Sequence, residues 1–239
     1  MNASANSGAP GLAATATVTD DMQWRVVGDS HADAIRFAAE AGMLARACQV
    51  TVVAGATAVG LRNPNSKTDA IAIFRETLLP LRRAVIPVIQ LGEVDCGFVI
   101  WYRATKNAEP VEDQLEAAVA GYFSFVDELL DKGYPTVVVT GAVPPTIRDG
   151  QAWGDVANAR REVTASLLER TRLTQRYNER LRQEATSRGL CYVDLLDSVL
   201  NAQTGVLDDK WRHPDPTDHH LDPAQVSILW ADRLNRLRF

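Results

Sequence analysis

Four histidines are spread unevenly along this chain: His31 directly follows Gly28-Asp29-Ser30, while His213, His219 and His220 crowd one stretch near the C-terminus. A serine hydroxyl is a weak nucleophile at neutral pH. It needs an imidazole to accept its proton, and the imidazole needs a carboxylate to fix its tautomer and stabilise the imidazolium. The stretch Asp215-Pro216-Thr217-Asp218-His219-His220-Leu221-Asp222-Pro223 holds both, so the two ends of the chain carry the two halves of a nucleophile and base pair. On local sequence alone, Asp29 and Ser30 read equally well as caps of a following helix. Two other readings also stand for the late stretch. One is a metal cluster of His213, Asp215, Asp218, His219 and His220, whose spacing matches no recognised ligand set; the other is a solvated polar loop.

Residues so far apart in sequence meet only if the chain between them returns them to one edge. Five short runs rich in β-branched residues, at 24–27, 50–53, 85–91, 136–140 and 191–195, are bounded by turn formers and read as strands. Helix-period segments at 32–47, 68–81, 111–132, 156–187 and 224–237 alternate with them. That alternation predicts a three-layer α/β/α domain around a five-stranded parallel sheet of flavodoxin-like order 2-1-3-4-5. Reactive loops of such sheets gather at the carboxyl ends of the strands. The turn at 28–31 follows strand one and the loop at 213–223 follows strand five, so both fall there.

With 239 residues, 46% of them hydrophobic, the chain has apolar material for one large core. The expectation is a single domain over 23–239 behind a disordered leader at 1–22, rich in Ala, Ser, Thr and Gly. A net charge of -5 with dispersed basic residues argues against nucleic-acid binding, and the mixed Arg and Glu of 156–187 read as a solvated helix face. Three widely spaced cysteines, Cys48, Cys96 and Cys191, predict free thiols in a reducing compartment. No apolar stretch is long enough to span a bilayer. A cytoplasmic protein with no membrane partner is the expectation.

Taken together, these residues resemble the SGNH hydrolase superfamily, the GDSL-like lipases and esterases, over almost the whole chain after the leader. Gly28-Asp29-Ser30-His31 matches block I, which implies Ser30 as the nucleophile, its N–H also serving the oxyanion. Block II is a glycine after strand two, matched by Gly60, with Gly55 as second choice. His220-Leu221-Asp222-Pro223 matches the His-Leu-x-Pro continuation of block V and implies His220 as the base. Two positions depart from the pattern. Where block III reads Gly-x-Asn-Asp, this chain has Gly92-Glu93-Val94-Asp95, and Val94 lacks the oxyanion donor, a loss that costs about 10²–10³ in turnover. Arg103 is close enough in sequence to supply charge instead, or else lies at the surface. The usual Asp-x-x-His would need an aspartate at Thr217; Asp218 with His220 is the favoured pairing and Asp215 with His219 the other.

The resemblance thus implies a carboxylic ester hydrolase. It would remove a small O-acyl group from a polar scaffold, such as a sugar, polysaccharide precursor or natural product, through an acyl-enzyme on Ser30. His220 is the implied base and Asp218 its orienter, with Gly60, Asp29, Asp95, Arg103 and Asn63 around the oxyanion and substrate. No metal or organic cofactor is called for. Asn63, Asn65, Ser66 and Lys67 after block II, and Trp101-Tyr102-Arg103 after block III, are candidates to read a small-molecule or carbohydrate substrate. Pro144 to Arg148 would form another wall. An acyltransferase using the same acyl-enzyme and a catalytically silent binding module on the same fold are the alternatives.

Overall fold

The five apolar runs become strands β1 (Gln23–Gly28), β2 (Cys48–Val52), β3 (Val85–Gln90), β4 (Val138–Thr140) and β5 (Tyr192–Val193). They pair in parallel throughout, in the order β2-β1-β3-β4-β5. The computed structural model describes residues 18–19, 21–63, 65–82, 84–151 and 161–239, so most of the expected leader lies outside the described residues. Every residue of β3 is buried, as a central strand covered on both faces requires. One face packs Val27, Ile89 and Val139 into a core with Phe74, Phe125, Tyr122 and Tyr177. The other packs Val26, Val88 and Val138 with Ile35 and Trp230.

Helices α1 (Asp33–Glu40), α2 (Ala70–Leu78), α3 (Ile100–Asn107), α4 (Val111–Asp131), α5 (Leu167–Ser187), α6 (Leu196–Val199) and α7 (Pro223–Asn235) connect the strands. Two differ from expectation in extent. The segment expected to be helical to 47 stops at Glu40, and Gly42 just beyond it takes a left-handed φ of 68°, a conformation that ends a helix. The long charged helix starts at Leu167 rather than 156, because Ser166 and Glu169 form a reciprocal capping box; residues 156–160 lie outside the described residues. Sequence reading also missed α3, which continues the helical turn starting at Asp95. No helix among the described residues is long and apolar enough to cross a membrane.

Two glycines set the edge that carries the site. A Cβ on Gly28 would stand 2.4 Å from the Gln90 carbonyl oxygen and 2.9 Å from Ala32 Cβ, so only glycine lets β1 turn this tightly against β3. Gly92 has φ of 128°, and a Cβ there would lie 2.5 Å from Tyr177 Cε1. The turn after β3 is therefore held against α5 by shape.

Candidate active site

Ser30 opens a single 3₁₀ turn, Ser30–Ala32, at the carboxyl end of β1. Asp29 caps it: its Oδ1 accepts the His31 N–H at 2.9 Å and its carbonyl accepts the Ala32 N–H at 3.1 Å. The cap reading and the nucleophile reading of this tripeptide therefore coexist, Asp29 capping while Ser30 faces a cavity. Asp29 is fully buried and its Oδ2 has no hydrogen-bond partner among the described residues. Burial raises its pKa to about 7; His31 opposes the rise and is outweighed, while Glu93 and Asp95 add to it.

The late loop is pinned at both ends. Leu221 bridges Arg212 antiparallel, His213 N–H donates to the His220 carbonyl at 3.2 Å, and Asp222 N–H donates to the Trp211 carbonyl at 2.8 Å. Asp222 then caps α7 through the Ala224 N–H, with Pro223 at its first turn. Between these clamps, Asp218 Oδ1 accepts the His220 backbone N–H at 2.8 Å and lies 2.6 Å from His220 Nδ1. Spacing of two rather than three residues works because one carboxylate oxygen meets both the backbone and the ring of the same residue. Burial raises the Asp218 pKa, but the two bonds from His220 outweigh it and leave the carboxyl below its ordinary range. His220 is shifted below the ordinary histidine pKa by burial and by His31, with Asp218 pulling the other way. Its Nε2 is buried and has no hydrogen-bond partner among the described residues. Asp215, the rival orienter, instead accepts the Thr217 N–H and hydroxyl at 2.8 and 2.7 Å.

Ser30 and His220 line the same cavity of about 270 Å³, whose apolar wall includes Val143, Leu221, Val226 and Trp230. His220 also borders a second cavity of about 280 Å³ that is lined by Thr146, Arg148, Asp209, Arg212 and His213. The chain after β4 does form a wall, and the Thr146 hydroxyl ties it to the late loop by donating to the His219 carbonyl.

Three other expected residues have local partners or positions of their own. Gly60 donates its N–H to the Thr57 carbonyl at 3.1 Å and to the Thr57 hydroxyl at 3.0 Å. In this structure that hydrogen is therefore shared within a local turn closed by Thr57. Asn63 is exposed and its Oδ1 accepts the Asn65 N–H at 3.0 Å, which is local turn geometry rather than a substrate contact. Arg103 lies within α3, which continues the helical turn from Asp95, and is absent from the walls of both cavities beside His220. Its neighbours are occupied in packing. Trp101 Nε1 donates to the Cys96 carbonyl at 2.9 Å, and Tyr102 stacks on Phe98.

The turn after β3, Gly92-Glu93-Val94-Asp95, carries two buried acids. Asp95 is fully buried and accepts the Ala58 and Val59 N–H groups at 2.7 and 3.1 Å, fixing the loop after β2. Burial still raises its pKa to about 6, against the pull of those bonds. Glu93, also buried, places Oε2 3.1 Å from His31 Nε2. Sequence reading missed this contact, although the register carries a signal for it. Gly28 stands opposite Gln90 on neighbouring parallel strands, so His31 and Glu93 each lie three residues beyond the same rung.

The fold is shared with solved structures. At 13% identity, a GDSL-like lipase from Bacteroides thetaiotaomicron superposes with a TM-score of 0.60, over 92% of this chain and 89% of the other. The aryl esterase of M. smegmatis, 14% identical, gives 0.56 over 91% of this chain and 100% of its own. Identities this low establish common architecture and no more. No family model and no curated protein matches the chain.

Proposed function

We propose that the protein is a serine esterase that removes a small O-acyl group from a polar scaffold. One observation carries the reading: the His220 imidazole, anchored by Asp218 at 2.6 Å, keeps a buried Nε2 without a hydrogen-bond partner among the described residues, in a side chain that lines the same cavity as Ser30. An imidazole held this way, with its pKa shifted below the ordinary histidine value by burial and by His31, suits general-base work. In the reaction, Nε2 takes the Ser30 proton as Oγ adds to the acyl carbon. The imidazolium then protonates the departing alcohol, leaving the acyl group on Ser30. Water, deprotonated by the same nitrogen, releases the acid and restores the hydroxyl.

The two cavities beside His220 support the substrate class. The one shared with Ser30 is small and largely apolar, which suits a short acyl chain; the polar one suits a hydroxylated alcohol. The esterase and lipase neighbours support the reaction type by analogy of fold. With Val94 in place of an amide and Gly60 bonded to Thr57, the backbone N–H of Ser30 is what remains of the implied oxyanion donors. Turnover on simple esters should therefore be modest. Labelling by a fluorophosphonate probe and hydrolysis of p-nitrophenyl acetate test the assignment together. Both should be present in the native protein and absent in a folded Ser30→Ala variant; equal labelling and turnover in that variant would overturn it.

A further inference from the structure

Beside His220 stand two further imidazoles, those of His31 and His219, to which the esterase reaction assigns no step. His31, His219 and His220 each offer a nitrogen, and the three nitrogens lie within 4.8 Å of one another. Their rings are 4.7 Å apart for His31 and His220, 4.0 Å for His219 and His220, and 5.9 Å for His31 and His219. We propose that these three side chains form a site for a divalent transition metal ion, zinc above all, and that the ion shuts off the base by occupying it.

The donor set argues for this class of ion. Imidazole nitrogens suit Zn²⁺, Cu²⁺ and Ni²⁺, whereas Mg²⁺ and Ca²⁺ require oxygen. Zinc binds nitrogen at about 2.0–2.1 Å, so its three ligand nitrogens must sit closer together than 4.8 Å. Small rotations of half-buried His219 and His220 toward buried His31 supply that movement. Carboxylates already hold two of the rings: Glu93 Oε2 lies 3.1 Å from His31 Nε2, and Asp218 Oδ1 lies 2.6 Å from His220 Nδ1. Acidic partners of this kind orient imidazole ligands and place negative charge beside the cation. The His220 nitrogen that remains, Nε2, is buried and has no hydrogen-bond partner among the described residues. His213 stays outside the cluster, its Nδ1 accepting the Asp215 N–H at 3.2 Å.

Binding and catalysis then compete for one lone pair. A metal on His220 Nε2 removes the acceptor for the Ser30 proton, so zinc is a reversible inhibitor and not a cofactor. This consequence rests on the esterase reading; the site itself does not.

The test titrates ZnCl₂ into the full chain by calorimetry, follows Co²⁺ by its visible absorption, and measures p-nitrophenyl acetate hydrolysis in parallel. One ion per chain is expected. Hydrolysis should fall at least about tenfold at saturation, with the calorimetric midpoint, and recover on chelation. Removing an outer-shell partner costs about 10–100-fold in metal affinity, so His219→Ala, which removes a ligand, should weaken binding by roughly 100-fold. His213→Ala should leave the zinc affinity unchanged. Native zinc affinity in His219→Ala, or affinity lost only in His213→Ala, overturns the site. Tight binding through His219 with full hydrolysis at saturating zinc overturns the competition. If the native protein hydrolyses no ester, the esterase reading fails, and calorimetry with the Co²⁺ spectrum of His219→Ala still decides the site.

Discussion

Replacing Asp29 with asparagine should make the protein more stable, and only above mildly acidic pH. Asp29 is fully buried at the Ser30 turn, with Oδ1 on the His31 N–H and Oδ2 without a hydrogen-bond partner among the described residues. Its pKa rises from 3.8 to about 7, chiefly through burial. At about 1.4 kcal/mol per pH unit, that displacement corresponds to roughly 4 kcal/mol. For an acid whose pKa is higher in the native state than in the unfolded chain, the stability is intact below the unfolded value. It declines as pH rises and levels off above the native value. The native protein should thus lose stability from about pH 4 to pH 7 on account of this residue. Asparagine retains the oxygen that accepts the His31 N–H and cannot ionise. The variant should match the native protein near pH 4 and exceed it by up to roughly 4 kcal/mol at pH 8, about 8–16 °C in Tm for a chain of this size. Asp95 is also buried and raised, to about 6, but it is present in both proteins and largely cancels in the difference. Urea midpoints measured from pH 4 to 9 decide the matter. A difference that stays constant across that range would mean Asp29 ionises like an exposed carboxyl, and the account of a neutral acid under the serine would be wrong.

Three further outcomes follow from the same geometry. His220→Ala should abolish measurable hydrolysis, and Asp218→Asn should lower kcat by about 10³–10⁴-fold, whereas Asp215→Asn should have little effect; the reverse order of the two aspartates would move the orienting role to Asp215. The acid limb of kcat/KM should fall below the ordinary histidine value of about 6.5, because His220 is shifted down by burial and by His31. In Asp218→Asn that limb should move lower still, since Asp218 is what raises it; an upward shift in the pH profile would contradict this. Gly92→Ala should cost about 2–5 kcal/mol in urea denaturation, from a φ of 128° and the overlap with Tyr177, and a native midpoint would show that α5 yields more easily than its packing implies.

The sequence by itself determined the sheet and its edge. Hydrophobic periodicity is a local property, and five β-branched runs between helical segments leave few ways to bury both faces of a parallel sheet, so strand order and the meeting of Ser30 with the late histidines were legible. Asp222-Pro223 was legible as a helix start for the same reason. What tertiary structure decided was how individual polar atoms are occupied. Whether Asp218 or Asp215 serves His220 depends on which oxygen the backbone of a clamped loop turns toward the ring. Whether the Gly60 N–H is available depends on a turn closed by Thr57. That Arg103 stands on a helix was not legible, because the helical turn starting at Asp95 runs on through it and apolar periodicity over so short a segment does not separate helix from loop. His31 and Glu93 meet only through the register of β1 against β3. Hydrogen-bond partners are fixed by distances of a few tenths of an ångström between segments far apart in the chain, and a pattern read along one dimension does not contain those distances.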